Sequence, residues 1–392
     1  MILRKLDQSE HRLTRTLWEE VFTDDTKAFL DYYYYIKTRD NQIYVVEEEG
    51  QICSMLQLNP YQLMIGKKQY PSAYIIAVAT KESFRGRGYM GALLRASLND
   101  MYTEKIPFTF LMPAAEAIYT PYDFRFIYDQ PVGTAGSVAG GENGGDSSAE
   151  KYSFSDAALW EAEEIAAFVN ENFASRWQVA AVRDTAYYQT MIMEQQSEKG
   201  GVRLIRSGGS LKGVYAYAAE DGLEIREPLY LPGCGQAYLR SVSELAGCMS
   251  GGGASGGQGE DEIKVYACPE QSASGKRPII MARIIRLEEL LKALTVPAGV
   301  SVDCSFAVLD PLIRQNSRVW RIVSGEDETE LHVKETEDSQ GAVTIAGFTE
   351  YLFGRITVQE LAAQEDVVMT DSLAAELEKV TKLTEVFLNE VV

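Results

Sequence analysis

Histidine is almost missing from this chain. Only His11 and His332 occur, far apart in sequence. A Ser-His-Asp or Cys-His site, or a histidine-rich metal centre, would have to be built on one of them, and neither stands at triad or ligand spacing. No metal is therefore expected. Cysteine is sparse as well. Cys53, Cys234, Cys248, Cys268 and Cys304 are odd in number, widely spaced and form no CxxC pair, which fits reduced packing thiols in a cytoplasm. No apolar run reaches membrane-spanning length. The opening Met1-Ile-Leu-Arg-Lys-Leu-Asp-Gln-Ser-Glu10 lacks the apolar stretch of a signal peptide. Cations are in deficit: 37 Lys and Arg stand against 57 Asp and Glu, for a formal net charge of −20. That balance argues against sequence-blind binding to nucleic acid and against an anionic membrane surface. It favours a cationic, amine-bearing small molecule or peptide.

What is present is ordinary globular material. The 392 residues are 46% hydrophobic and 24% charged, enough for two or three domains with large cores. Two Gly/Ser-rich stretches, at residues 133–150 and 250–261, carry no apolar period and read as flexible loops. The first separates domains, and the second is an inserted tip within one. Before them, short β-type runs at 42–47 and 51–58 form a hairpin around Glu-Gly, and 61–65 with 68–79 form a second around Gly-Lys. A buried strand follows at 108–112. The middle segment predicts helices over 157–169 and 184–195 and strands at 202–206, 213–219 and 263–267. The last predicts helices at 287–294, 356–363 and 372–383, and strands near 300–306, 319–322, 330–334 and 342–345. The class is α/β with mixed sheets.

The stretch that carries chemistry is Ile75-Ile-Ala-Val-Ala-Thr-Lys-Glu-Ser-Phe-Arg-Gly-Arg-Gly-Tyr-Met-Gly-Ala-Leu-Leu94. An apolar strand enters a loop with two arginines and two glycines, and a helix begins at once. Helix N-termini offer unpaired N–H groups and a positive dipole end. Glycine lets backbone approach a pyrophosphate, and arginine adds charge-assisted contacts. Residues 85–90 thus make an anion cradle, and the bland alternative is a solvated basic loop capping a helix.

This order of strand hairpins, strand, Arg-Gly-Arg-Gly, helix and buried strand resembles the GNAT N-acyltransferases, whose pyrophosphate loop reads Gln/Arg-x-x-Gly-x-Gly/Ala. Met90 departs from the last position of that pattern. Met112-Pro-Ala-Ala-Glu-Ala-Ile-Tyr119, Met281-Ala-Arg-Ile-Ile285, Asp310-Pro-Leu-Ile-Arg-Gln-Asn-Ser-Arg-Val-Trp-Arg321 and Gly347-Phe-Thr-Glu-Tyr-Leu-Phe-Gly354 further resemble the Eis (enhanced intracellular survival) group. The resemblance implies a GNAT domain at 1–132, a second GNAT-like domain at 133–285 and a sterol carrier protein-like domain at 286–392.

It also implies roles. Ala77, Val78 and Ala79 would lie along the pantetheine arm of acetyl-CoA. Arg85, Gly86, Arg87, Gly88, Tyr89 and Met90 would hold its pyrophosphate, with Gly91 keeping the first helical turn open. Tyr119 would be the general acid: a phenol with pKa ~10 is protonated at neutral pH and can donate to the departing sulfur. Tyr122, three residues on, is its rival. The terminal carboxylate of Val392, where the group often ends in an aromatic residue, would take the proton from the attacking amine. The resemblance implies a hexamer that acetylates a primary amine of an aminoglycoside-, polyamine- or lysine-like acceptor. The alternative is a lipid or acyl carrier with a degenerate transferase domain, since sterol carrier folds hold lipids in an apolar cavity.

Overall fold

The computed structural model describes residues 1–136, 151–220, 222–249 and 263–390. Most of both Gly/Ser-rich stretches, residues 137–150 and 250–261, and the chain end at Val392 lie outside the described residues.

The first third builds one sheet covered on both faces. Strands β1 (Ile2–Lys5), β2 (Gln42–Glu48), β3 (Gln51–Ile65) and β4 (Lys68–Thr80) run antiparallel in that order. Alternation sorts their side chains. Ile43 and Val45 of β2 pack with Trp18, Phe29 and Tyr33 from helices α1 (Arg15–Val21) and α2 (Lys27–Tyr35). Tyr44 and Val46 face the opposite layer. There, α3 (Tyr89–Thr103) presents Leu93, Leu94, Leu98 and Met101 at helical spacing. Strands buried on both faces read as nearly continuous apolar runs, as 43–46 does. Strand β5 (Phe108–Leu111) leads through the short helix α4 (Glu116–Tyr119) to β6 (Arg125–Thr134).

Two expectations change here. Residues 51–65 form one fifteen-residue strand rather than two. Partner β2 ends opposite Leu58, and the short strand β8 (Val179–Ala181) begins opposite Leu63. Pro60 therefore lies where β3 has a ladder partner on one side only, and a proline is tolerated there. Its neighbour Asn59 is buried, accepting hydrogen bonds from Tyr33 Oη (2.7 Å) and Asn41 Nδ2 (2.7 Å). The helix expected over 157–169 begins at Ala162, after a turn at Leu159–Glu161 in which Glu161 accepts from the Ala158 N–H at 2.9 Å.

The middle third contributes β7 (Tyr152–Asp156), the helix Thr185–Ser197, β9 (Gly201–Ser207), β10 (Ser210–Ala218), β11 (Glu224–Tyr230), the helix Gly235–Met249 and β12 (Lys264–Tyr266). The run β9, β10, β11, helix, β12 repeats the order β2, β3, β4, α3, β5. In both, the last pair is parallel, and the third strand carries a residue at positive φ: Ala77 (+52°) in β4 and Glu227 (+49°) in β11.

Strand β13 (Gly275–Ile284) then returns to lie between β5 and β6 and pairs with both. One fourteen-stranded sheet results, with main path β1-β2-β3-β4-β5-β13-β6-β12-β11-β10-β9-β7. The last third forms a second sheet from β14 (Val302–Leu309), β15 (Val319–Ser324), β16 (His332–Thr336), β17 (Gly341–Thr344) and β18 (Val368–Met369). The helix Ile345–Leu352 behind it buries Phe348, Tyr351 and Leu352 in a core continuous with Phe108 and Phe110 of β5. Phe353 meets Phe108 edge to face at 5.3 Å. The tail closes the fold: β19 (Val386–Phe387) adds in parallel to β8, and Phe387 stacks on Trp177 at 4.2 Å.

Candidate active site

The site begins where two parallel strands part. Strands β4 and β5 pair only at Tyr74↔Phe110, tied just before that point by Ser72 Oγ to Phe108 O (2.8 Å) and Thr109 Oγ1 to Ala73 O (2.7 Å). Beyond it, residues 75–80 of β4 have no ladder partner on that side among the described residues. The pairing of β4 with β3 slips between Ile76 and Ala79, and Ala77 takes its positive φ inside the slip. Such a conformation costs about 1–3 kcal/mol in a residue other than glycine. The bulge re-aims the strand. It leaves this edge of β4 without a ladder partner among the described residues, the kind of edge that an extended, amide-bearing ligand can pair with.

The cradle follows directly. Gly86 (φ +77°) and Gly88 (φ +79°) adopt left-handed backbone, and a Cβ on either would meet nothing within 4 Å. They are glycines for the chain path and leave open space above the loop. Gly88 precedes α3 without a side-chain cap, so the N–H groups of Tyr89, Met90 and Gly91 point outward from a fifteen-residue helix. Arg85 is exposed, and among the described residues its side chain is held by Nε to Thr80 O at 3.3 Å. Arg87 leans back on Glu48 (3.3 Å), Ser83 O (3.2 Å) and the Phe84 ring.

Two readings are refined. The Tyr89 side chain is buried and its hydroxyl donates to Glu48, so its phenol is turned to Glu48 and away from the loop. At Gly91 the space is not empty: a Cβ would stand 2.6 Å from Tyr122 Oη. A residue with a Cβ there would have to displace the Tyr122 hydroxyl, which rests against the first turn of α3.

Tyr119 ends α4 and is 7% exposed. It shares an apolar cluster with Ile75 and Val78 of β4, Leu111 of β5 and Met90 of α3, and it meets Phe124 edge to face at 5.8 Å. Burial pushes its phenol up to about 12. Asp123 (φ +63°) then turns the chain into β6.

Beside the end of β5 lies a cavity of about 590 Å³. Its wall includes Met112, Tyr61 of β3, Lys37 after α2, Glu194 of the helix Thr185–Ser197, Arg226 and Glu227 of β11, and Asn389 and Glu390 of the tail. Carboxylates outnumber cations there. Glu227 is taken by buried Arg183 (2.6 and 3.0 Å), and Arg226 by Glu198 at 2.6 Å. Glu194 accepts from Tyr32 Oη at 3.3 Å and is raised to about 7, chiefly by burial. Glu390 is raised by burial as well and accepts from Tyr187 Oη at 3.0 Å. Lys37, lowered by burial, donates to Tyr61 Oη at 3.1 Å. Sequence reasoning missed this cavity because its wall comes from segments spread between residues 37 and 390. The only local signal was the apolar tail.

Residues 3–127 match the acetyltransferase (GNAT) domain family, and residues 287–390 the sterol carrier protein domain family. The chain carries a GNAT acetyltransferase domain and a sterol carrier protein-like domain. The GNAT domain makes the protein an acyltransferase and implies acetyl-CoA as co-substrate. No curated protein matches the chain. Among solved structures it is similar to a probable N-acyltransferase from Enterococcus faecalis V583 (TM-score 0.76, 18% identity, 97% of both chains). A GCN5-related N-acetyltransferase from Anabaena variabilis ATCC 29413 superposes with TM-score 0.75 at 16% identity over 99% of both chains. Eis1 from Mycobacterium abscessus gives 0.69 at 14%, again over 99% of both. At such identities the likeness is one of fold. No helix among the described residues is long and apolar enough to cross a membrane.

Proposed function

We propose that the protein transfers the acetyl group of acetyl-CoA to a primary amine of a cationic acceptor. The observation that carries this reading is the parting of β4 from β5 at Tyr74, with the bulge at Ala77 leading into an open Arg-Gly-Arg-Gly cradle. Acetyl-CoA supplies an activated acetyl carbonyl, to which the amine nitrogen bonds as the carbon–sulfur bond breaks. The chain's own contribution is orientation and proton handling. The backbone of 77–79 holds the pantetheine arm, and Arg85, Gly86, Arg87 and the N–H groups at 88–91 hold the pyrophosphate. Tyr119, protonated throughout the neutral range, gives its proton to the departing sulfur.

The acceptor enters the acidic cavity, where Glu194 and Glu390 attract an ammonium. Glu194, poised near 7, is the described group best matched to take a proton from the amine at neutral pH. The role first expected of Val392 concerns a group outside the described residues. Assembly into a hexamer is part of the same proposal, and light scattering after gel filtration tests it.

The test is acetyl transfer to a panel of polyamines, aminoglycosides and lysyl peptides, with wild type beside Tyr119→Phe. Turnover with at least one amine class, depressed in the Phe variant, is expected. Absence of transfer to every amine contradicts the reading, and undiminished turnover in the variant removes Tyr119 from its role.

A further inference from the structure

Arginine is rarely found fully buried unless it is paired. Arg283 of β13 is completely buried. Its strand lies between β5 and β6, the two strands that flank the turn bearing Tyr119. Its donors reach both ways from there. Nε donates to Tyr122 O at 3.0 Å, and Nη1 to Ile284 O at 2.8 Å. Nη2 reaches Asp123 Oδ2 at 3.5 Å and Asp310 Oδ1 at 2.5 Å.

Asp310 is buried too and begins the loop that joins β14 to β15 in the sterol carrier protein-like domain. It also accepts from Leu312 N (3.0 Å), Ile313 N (2.8 Å) and Asn316 Nδ2 (2.9 Å). Asn316 in turn donates to Ile285 O at 2.8 Å and accepts from Leu287 N at 3.1 Å. The far side of the turn is held by Arg125 Nη1 to Thr120 O at 3.2 Å. A buried ion pair is a poor source of net stability, since well-packed apolar residues often do as well or better. What this one supplies is a fixed place for the turn.

We propose that Arg283 is a positioning residue for acyl transfer, tying the turn at residues 119–123 to Asp310, so that the sterol carrier protein-like domain holds the proton donor in register with the cleft between β4 and β5. This rests on the reading of Tyr119 as that donor. Arg283 touches neither substrate. It acts through the backbone at Tyr122 and the side chain of Asp123, which together set where the Tyr119 ring lies.

The experiment is a double-mutant cycle in the full-length protein. Arg283→Lys, Asp310→Asn, Tyr119→Phe and the Arg283→Lys/Tyr119→Phe pair are compared with wild type for folding, kcat and KM. Misplacement by about 1 Å lowers rate on the order of 10²-fold. Arg283→Lys and Asp310→Asn are therefore expected to fold, to keep the KM for acetyl-CoA and to lose kcat on that scale. The pair is expected to be no slower than its slower single variant, because a displaced donor and an absent donor are the same defect. Losses that multiply in the pair overturn the proposal. So does an unchanged kcat per folded molecule, and so does failure of both Arg283→Lys and Asp310→Asn to fold, which would make the contact a requirement of the fold alone. Wild-type kcat in Tyr119→Phe is a separate outcome: it defeats the reading of Tyr119, and the proposal falls with it.

Discussion

Tyr119 and Glu194 have ionisation moved in the same direction by the same cause, and the consequences differ. Burial raises the Tyr119 phenol to about 12, so no loss of activity from its ionisation is expected up to about pH 10. Tyr119→Phe should lower kcat about 10²-fold or more while leaving the KM for acetyl-CoA in place, as steady-state kinetics will show. Glu194 is raised from 4.5 to about 7. The folded chain therefore holds its proton more tightly than the unfolded chain. Stability falls as pH rises from about 4.5 to about 7 and is level above that. Glu194→Gln should melt higher than wild type at pH 8 and match it at pH 4. In kinetics, the rise of kcat/KM for the acceptor through pH 7 should disappear in the variant. A pH profile that keeps that rise removes Glu194 as proton acceptor.

The strand–loop–helix unit from β4 to α3 does two jobs with few side chains. Its bulge lies on a strand edge with no ladder partner among the described residues, and its glycines turn the chain so that the first N–H groups of α3 face outward. Gly88→Ala forces a left-handed Cβ residue at a cost of about 1–2 kcal/mol, and should raise the KM for acetyl-CoA without touching the acceptor KM. Gly91→Ala drives a methyl group into the Tyr122 hydroxyl and should disturb turnover through the same turn that Arg283 holds. This unit was legible in the sequence because its signal is local: an apolar strand, two glycines at fixed spacing and a helical period. The hydrogen bond from the Tyr89 phenol to Glu48 was not legible, since only the fold brings the two residues together. The separation of 51–58 from 61–65 did not survive, because β4 pairs with β3 straight through Asn59 and Pro60, where β3 has a partner on that side only. The helices α1 and α2 went unread; in α2 the aromatic run at 32–35 carries β propensity that competes with its helical period.

At the scale of the molecule, distant segments complete a cavity that the first third cannot build alone. Strand β13 fills the gap between β5 and β6, and the tail reaches the cavity through Asn389 and Glu390. No local pattern encodes such pairings, because they join residues more than one hundred and forty positions apart. A net charge of −20 and a carboxylate-rich cavity attract cations through a field that salt screens within about 8–10 Å. The KM for a polyamine should therefore rise between low and physiological ionic strength, and a flat response would argue for an uncharged acceptor. The most direct measurement is a crystal structure with CoA bound. The account predicts pantetheine amides paired with the backbone at Ala77–Ala79, pyrophosphate against the N–H groups at 88–91, and sulfur within hydrogen-bond reach of Tyr119 Oη. CoA seated elsewhere, or a sulfur that the Tyr119 hydroxyl cannot reach, would contradict it.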